Sequence, residues 1–173
     1  MTTTATTETS RLVAMFARAA GAEVHLLGLT QCSLVFARSL GLADAWTADT
    51  LPDLPFDAVV DASNAAHLPG RALDLVEPAG RVVYVGLAGS PSCIDTRTLA
   101  LKDVTAVGLL SASPGLDATI EAYSAGLVDP RPLVAATVGL DQVADVLAGA
   151  RPRAPDPARR STSTPGSPER RPT

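Results

Sequence analysis

The stretch Ala20–Thr30, AGAEVHLLGLT, decides how the chain is read. Gly21 closes a helix, EVHLL is a short apolar strand, and Gly28 ends it. Upstream, RLVAMFARAAG (Arg11–Gly21) places Leu12, Met15, Phe16 and Ala19 at helical spacing, with Ser10 as a candidate N-cap. A helix entering a buried strand through a glycine turn is half of a βαβ unit. The strand that should come before the helix falls in MTTTATTETS (Met1–Ser10), which contains neither an apolar run nor a glycine. Threonine favours strands. A central parallel strand is buried on both faces, however, and hydroxyls there need partners. Residues 1–9 are therefore expected to be disordered and the first strand to be absent.

Downstream the alternation continues. A helix is expected from Ser33 to Leu40, a brief strand at Trp46, and a strand FDAVVDAS (Phe56–Ser63). The helix HLPGRALDLVEPAG is expected to run to Gly80, followed by the strand RVVYVGLAG (Arg81–Gly89). A helix at 96–101 leads to the strand DVTAVGLL (Asp103–Leu110). A helix at 115–125 should turn Leu116, Ile120 and Tyr123 inward. A weak strand LVAATVGL (Leu133–Leu140) and a last helix from Asp141 follow. The strands are apolar on both faces, so the sheet is parallel and covered by helices on both sides. The expectation is a doubly wound α/β layer over residues 10–150 that lacks its usual first strand and glycine-rich turn. Its core strands are placed near 23–27, 56–61, 81–85 and 104–109. The Pro-, Ser- and Arg-rich segment 151–173 reads as a disordered tail.

Composition narrows the function classes. Aromatic residues are 3% of the chain, so Val, Leu and Ala must build the core. A formal charge of −4 gives no electrostatic footprint for nucleic acid. No apolar run is long enough for a membrane span, and the first ten residues lack the basic and apolar regions of a signal peptide. A cytoplasmic chain is expected. Cys32 and Cys93, with His25 and His67, have no metal-ligand spacing, so no zinc is expected in this chain. The histidines are read as structural, and the cysteines as small packing residues. Asp61 shares one side of its strand with Asp57 and is expected to orient the turn after it.

Several phrases together carry a resemblance. LVAMFARAAGAEVHLLG, ARSLGLADAW, FDAVVDASN, ALDLVEPAGRVVYVGLAG, LALKDVTAVGLL and LVAATVGLDQVADVLAGA follow in an order and spacing similar to the cofactor domain of the medium-chain dehydrogenase/reductase family, the zinc-type alcohol dehydrogenases. The resemblance covers about Leu12 to Ala150. It implies a nicotinamide dinucleotide at the carboxyl edge of the sheet. Gly28 stands where the family has an acid for the adenine ribose, with Thr30 and Gln31 beside it. Ser63 and Asn64 follow the fourth strand, and Val85, Gly86 and Leu87 end the fifth.

Glycine in place of the acid removes a carboxylate that would repel a 2′-phosphate, which leans towards NADP. Gly28 is equally readable as a turn residue, and NAD stays open. The family's catalytic domain, with its zinc ligands, has no counterpart here, and the chain resembles a cofactor domain cut at both ends. It is expected to be inactive alone. Binding of either dinucleotide is expected to be weak or undetectable, with NADPH favoured, because the glycine turn is missing. The strand at 104–109 implies an oligomer contact, since the family extends its sheet there across a dimer. A non-catalytic binding module pairing with a full-length relative, and a methyltransferase-like domain, remain as alternatives. The substrate and the reaction direction are not legible.

Overall fold

The computed structural model describes residues 2–4, 8–28, 30–110 and 113–150. The tail read as disordered, 151–173, lies outside them. Among the described residues six parallel strands form one sheet: β1 (Thr2–Thr4), β2 (His25–Leu27), β3 (Ala45–Trp46), β4 (Phe56–Asp61), β5 (Val76–Tyr84) and β6 (Thr105–Gly108). Their spatial order is β3-β2-β1-β4-β5-β6. Among the described residues there are six α-helices: α1 (Glu8–Ala19), α2 (Gln31–Ser39), α3 (Leu68–Leu75) and α4 (Thr96–Leu101) connect successive strands except β3 and β4, which no helix joins, and α5 (Leu116–Ser124) and α6 (Val143–Leu147) follow β6. The order reverses direction between β1 and β4, so right-handed crossovers send α1 and α2 to one face and α3 and α4 to the other. The expected doubly wound α/β layer is the fold.

The expectation of a missing first strand is corrected. Thr2–Thr4 lies between β2 and β4 and pairs with both, Thr3 opposite Leu26 and Val60. Without it, the facing edges of β2 and β4 would carry unpaired backbone groups. Three β-branched residues suffice to complete that ladder. The disordered segment expected at residues 1–9 is corrected at residues 2–4, in β1, and at 8–9, in α1; residues 1 and 5–7 lie outside the described residues.

Three further boundaries differ from expectation. α3 stops at Leu75 because Pro78 cannot continue a helix. The chain then enters β5 through an irregularity, with Val76 opposite Phe56 and Arg81 opposite Ala58. Gly80 is required in that irregularity: a Cβ there would lie 2.8 Å from the Asp57 carbonyl oxygen. The weak strand expected at 133–140 does not form; 3-10 turns at Arg131–Leu133 and Leu140–Gln142 lead to α6 instead. On α5, Tyr123 packs on Phe16 at 5.6 Å between ring centroids, but Leu116 and Ile120 are exposed. The chain divides into two compact units, Met1–Leu133 and Val134–Thr173, and the sheet lies wholly in the first.

Small aliphatic residues build the core, as the scarcity of aromatics requires. One cluster, Ala14, Val24, Leu26, Leu34, Ala37, Leu42 and Ala45, joins α1 and α2 to β2 and β3. Another, Phe56, Val59, Ala72, Leu73, Val76 and Val82, joins α3 to β4 and β5. Among the described residues no helix is long and apolar enough to cross a membrane.

Candidate functional site

Every strand runs the same way, so their carboxyl ends form one edge, with the topological switch between β1 and β4. Open α/β sheets bind ligands at such a switch. β4 ends there in Asp61, whose side chain is 2% exposed. Its Oδ1 accepts the Ser63 backbone N–H at 2.9 Å. Its carbonyl oxygen accepts the N–H groups of Val85 and Gly86 at 2.8 and 3.0 Å. Asp61 therefore orients the turn after β4 and ties it to the end of β5, while Asp57, four residues earlier, is exposed.

Ser63 is buried and its hydroxyl accepts the Ala65 N–H at 3.4 Å; Asn64 is exposed. A Cβ on Gly86 would fall 1.6 Å from the Ser63 carbonyl oxygen. The glycine is needed for close passage of the β4 turn itself. Tyr84, which the sequence did not single out, donates its hydroxyl to the Pro69 carbonyl at 3.1 Å. Burial first, and then the nearby Asp61 carboxylate, hold that phenol above its ordinary pKa. Tyr84, Gly86, Leu87, Ser90 and Ile94 line a cleft of about 330 Å³, into which the largely exposed Leu87 reaches.

On the other side of β1, Gly28 follows β2, is buried, and donates its N–H to the Trp46 carbonyl at 2.8 Å. Thr30 caps α2. Its Oγ1 accepts the Ser33 N–H at 3.2 Å, while the Thr30 N–H donates to the Ser33 hydroxyl at 3.3 Å. This capping box commits the Thr30 and Ser33 hydroxyls to the first turn of α2 itself. Gln31 is exposed at the first position of α2. A second cleft, of about 510 Å³, opens beside Leu27, Ala48, Leu51, His67 and Leu68. The eight candidate residues thus form two groups on one edge, Gly28, Thr30 and Gln31 against Ser63, Asn64, Val85, Gly86 and Leu87. β2 and β5 are three strand spacings apart, about 14 Å.

His25 is structural, as expected. Its Nδ1 accepts the Trp46 indole N–H at 3.1 Å, Nε2 faces Glu23 Oε1 at 3.1 Å, and the ring packs edge-on to Phe56. The reading of Cys32 and Cys93 as packing residues is corrected: both are exposed, on α2 and in the 90–95 loop. Among the described residues no three His, Cys, Asp or Glu side chains gather as metal ligands.

Another residue that the sequence reading passed over is Arg11. It lies in the first turn of α1, is 7% exposed, and has its Cζ 4.8 Å from the centroid of the Phe36 ring on α2. Its Nε has no hydrogen-bond partner among the described residues. The available signal was a charge set next to Leu12 at the start of an otherwise apolar helix face.

The comparisons with known proteins agree with this geometry. A family profile described as zinc-binding dehydrogenase matches residues 10–125. No curated protein matches the sequence. Among solved structures, a short chain alcohol dehydrogenase from E. coli CFT073 complexed with NADH is similar, with a TM-score of 0.76 and 18% identity over 86% of this chain and 47% of that one. An alcohol dehydrogenase from Thermus sp. ATN1 has a TM-score of 0.72 and 23% identity over 85% of this chain and 47% of its own. TarJ of S. aureus in complex with NADPH has a TM-score of 0.69 and 16% identity over 86% of this chain and 51% of its own. The chain therefore spans about half the length of these proteins. At these identities the likeness is one of fold; the profile, which covers well over half of the chain, shows the family. The chain belongs to the zinc-binding dehydrogenase family and carries the doubly wound domain of its alcohol-dehydrogenase-like members.

Proposed function

We propose that this chain binds a nicotinamide dinucleotide as the cofactor domain of an alcohol-dehydrogenase-like oxidoreductase, and does not turn over substrate alone. One observation carries the reading: two clefts open at the carboxyl edge of a sheet whose switch-point turn Asp61 fixes, one between the end of β2 and the start of α3, the other beside the end of β5. A two-headed ligand suits an edge with about 14 Å between its ends. The adenosine end belongs at the end of β2, in the cleft between Leu27, Ala48 and Leu51 on one side and His67, Leu68 and Arg71 on the other, with Gly28, Thr30 and Gln31 following β2. The nicotinamide end belongs beside Val85, Gly86 and Leu87, with Ser63 and Asn64 between. When bound, the dinucleotide supplies a nicotinamide ring that accepts or donates hydride.

The residues fit the two ends of this group. Asp61 holds the turn that the ribose would meet, and Tyr84 stiffens the wall of the nicotinamide cleft through Pro69. At the centre, the segment before α1 has no glycine to admit the pyrophosphate to the backbone. Loss of one or two such charged hydrogen bonds weakens binding by about one to four decades. Gly28 in place of an acid favours NADPH over NADH. We further propose that β6 pairs with a second copy of the chain.

Calorimetric titration of the 173-residue chain with NADPH, NADH and S-adenosylmethionine tests the reading. Binding of both dinucleotides, tighter for NADPH, is expected. Binding of S-adenosylmethionine alone would replace it with the methyltransferase reading, and binding of none would leave the fold without this function.

A further inference from the structure

We propose that Arg11 is a phosphate ligand, stacked on Phe36 in the free chain and turned outward to the edge when a phosphorylated nucleotide binds. This rests on the dinucleotide reading above. A guanidinium has five N–H donors and stays charged. Here it is more than nine-tenths buried, Nε is unpartnered among the described residues, and the contact that compensates it is the face of Phe36. The nearest acid in sequence, Glu8, is exposed and makes no ion pair with it. The first turn of a helix is also where the backbone dipole disfavours a cation. A purely structural arginine would be expected to have a carboxylate or a set of carbonyl acceptors.

Position identifies the missing partner as an anion arriving at the edge. α1 leaves β1 and α2 leaves β2, so both helices begin at the carboxyl edge, beside the switch point. Helical side chains lean towards the N-terminus of their own helix. In the free chain the Arg11 guanidinium lies over Phe36 instead, and from the first turn of α1 a change of rotamer brings it towards that edge. Arginine grips phosphate through two parallel N–H bonds. The segment Thr4–Ser10, TATTETS, has no glycine to bring backbone N–H groups to a pyrophosphate, and Arg11 supplies donors from a side chain instead.

The phosphate belongs either to the pyrophosphate bridge or to the adenosine 2′ position, and four probes separate them: ADP, 2′,5′-ADP, NAD and NADP. Arg11→Met keeps the volume and removes the charge. In the full chain it is expected to raise the thermal midpoint while lowering affinity about 10- to 100-fold. An equal loss for all four probes assigns Arg11 to the shared 5′-phosphates, and a loss confined to 2′,5′-ADP and NADP assigns it to the 2′-phosphate. Arg11→Lys is expected to keep part of the affinity. A Met variant that unfolds, or that binds all four probes like the native chain, overturns the proposal while native binding leaves the dinucleotide reading intact. If the native chain binds none of the probes, both fail.

Discussion

At the level of single residues, Gly86 and Tyr84 carry the tightest geometry of the edge. A Cβ at Gly86 would meet backbone, which cannot swing away as a side chain end can. Gly86→Ala is expected to destabilise the chain by about 2–3 kcal/mol, read by urea unfolding. An unchanged midpoint would mean that the β4 turn moves freely. Tyr84 gives a pH signature. Its folded pKa lies above the ordinary 10.0, so its contribution to stability is present below pH 10 and is lost as pH rises through the folded value. Stability of the native chain should therefore fall in that alkaline range, and Tyr84→Phe should flatten the fall. The sequence made Asp61 and Gly86 legible because a strand-ending acid and glycine follow general turn chemistry. Tyr84 was hidden because its partner, the Pro69 carbonyl, is distant in sequence. Arg11 was hidden because a helical pattern tolerates one charge without revealing what it lacks.

At the level of elements, Lys102 is the clearest structural device. Its ammonium donates to the carbonyl oxygens of Leu73, Asp74 and Val76 at 2.9–3.0 Å, closing the C-terminal end of α3 where β5 begins. Three carbonyls converging on one point suit a compact ammonium better than a planar guanidinium. Lys102→Met should cost about 1.5–3 kcal/mol by thermal or urea unfolding, and Lys102→Arg should not restore it. The first strand gives a second test. Thr3→Pro removes a ladder N–H from the middle of the sheet and should cost about 3 kcal/mol or more. Amides of β2 and β4 should then lose protection from hydrogen exchange; retained protection would mean that Thr2–Thr4 is dispensable. Most strands were legible from doubly apolar runs such as FDAVVD and RVVY. The first was misread because threonine hydroxyls were weighed above the backbone groups that β2 and β4 need to pair. The strand expected at 133–140 was misread in the opposite way: LVAATVGL has the composition of a strand but pairs with no neighbour.

At the level of the whole molecule, the sheet ends on one side in β6, whose outer edge is paired with no strand among the described residues. β6 pairs with β5 through Val107 opposite Val83, and each of its four residues is exposed. Val107, Leu109 and Leu110 extend that exposure as an apolar run. A soluble chain normally protects such an edge with charge, proline or a covering element. Here Thr105–Leu110 contains neither charge nor proline. An isologous contact about a two-fold axis would set two β6 strands antiparallel and continue the ladder across both copies. The chain should therefore sediment as a dimer whose unfolding midpoint rises with protein concentration, and Val107→Lys should yield a folded monomer whose midpoint does not depend on concentration. A dimer that persists in Val107→Lys would place the contact elsewhere. A native chain that stays monomeric at high concentration would show that the β6 edge does not pair with itself.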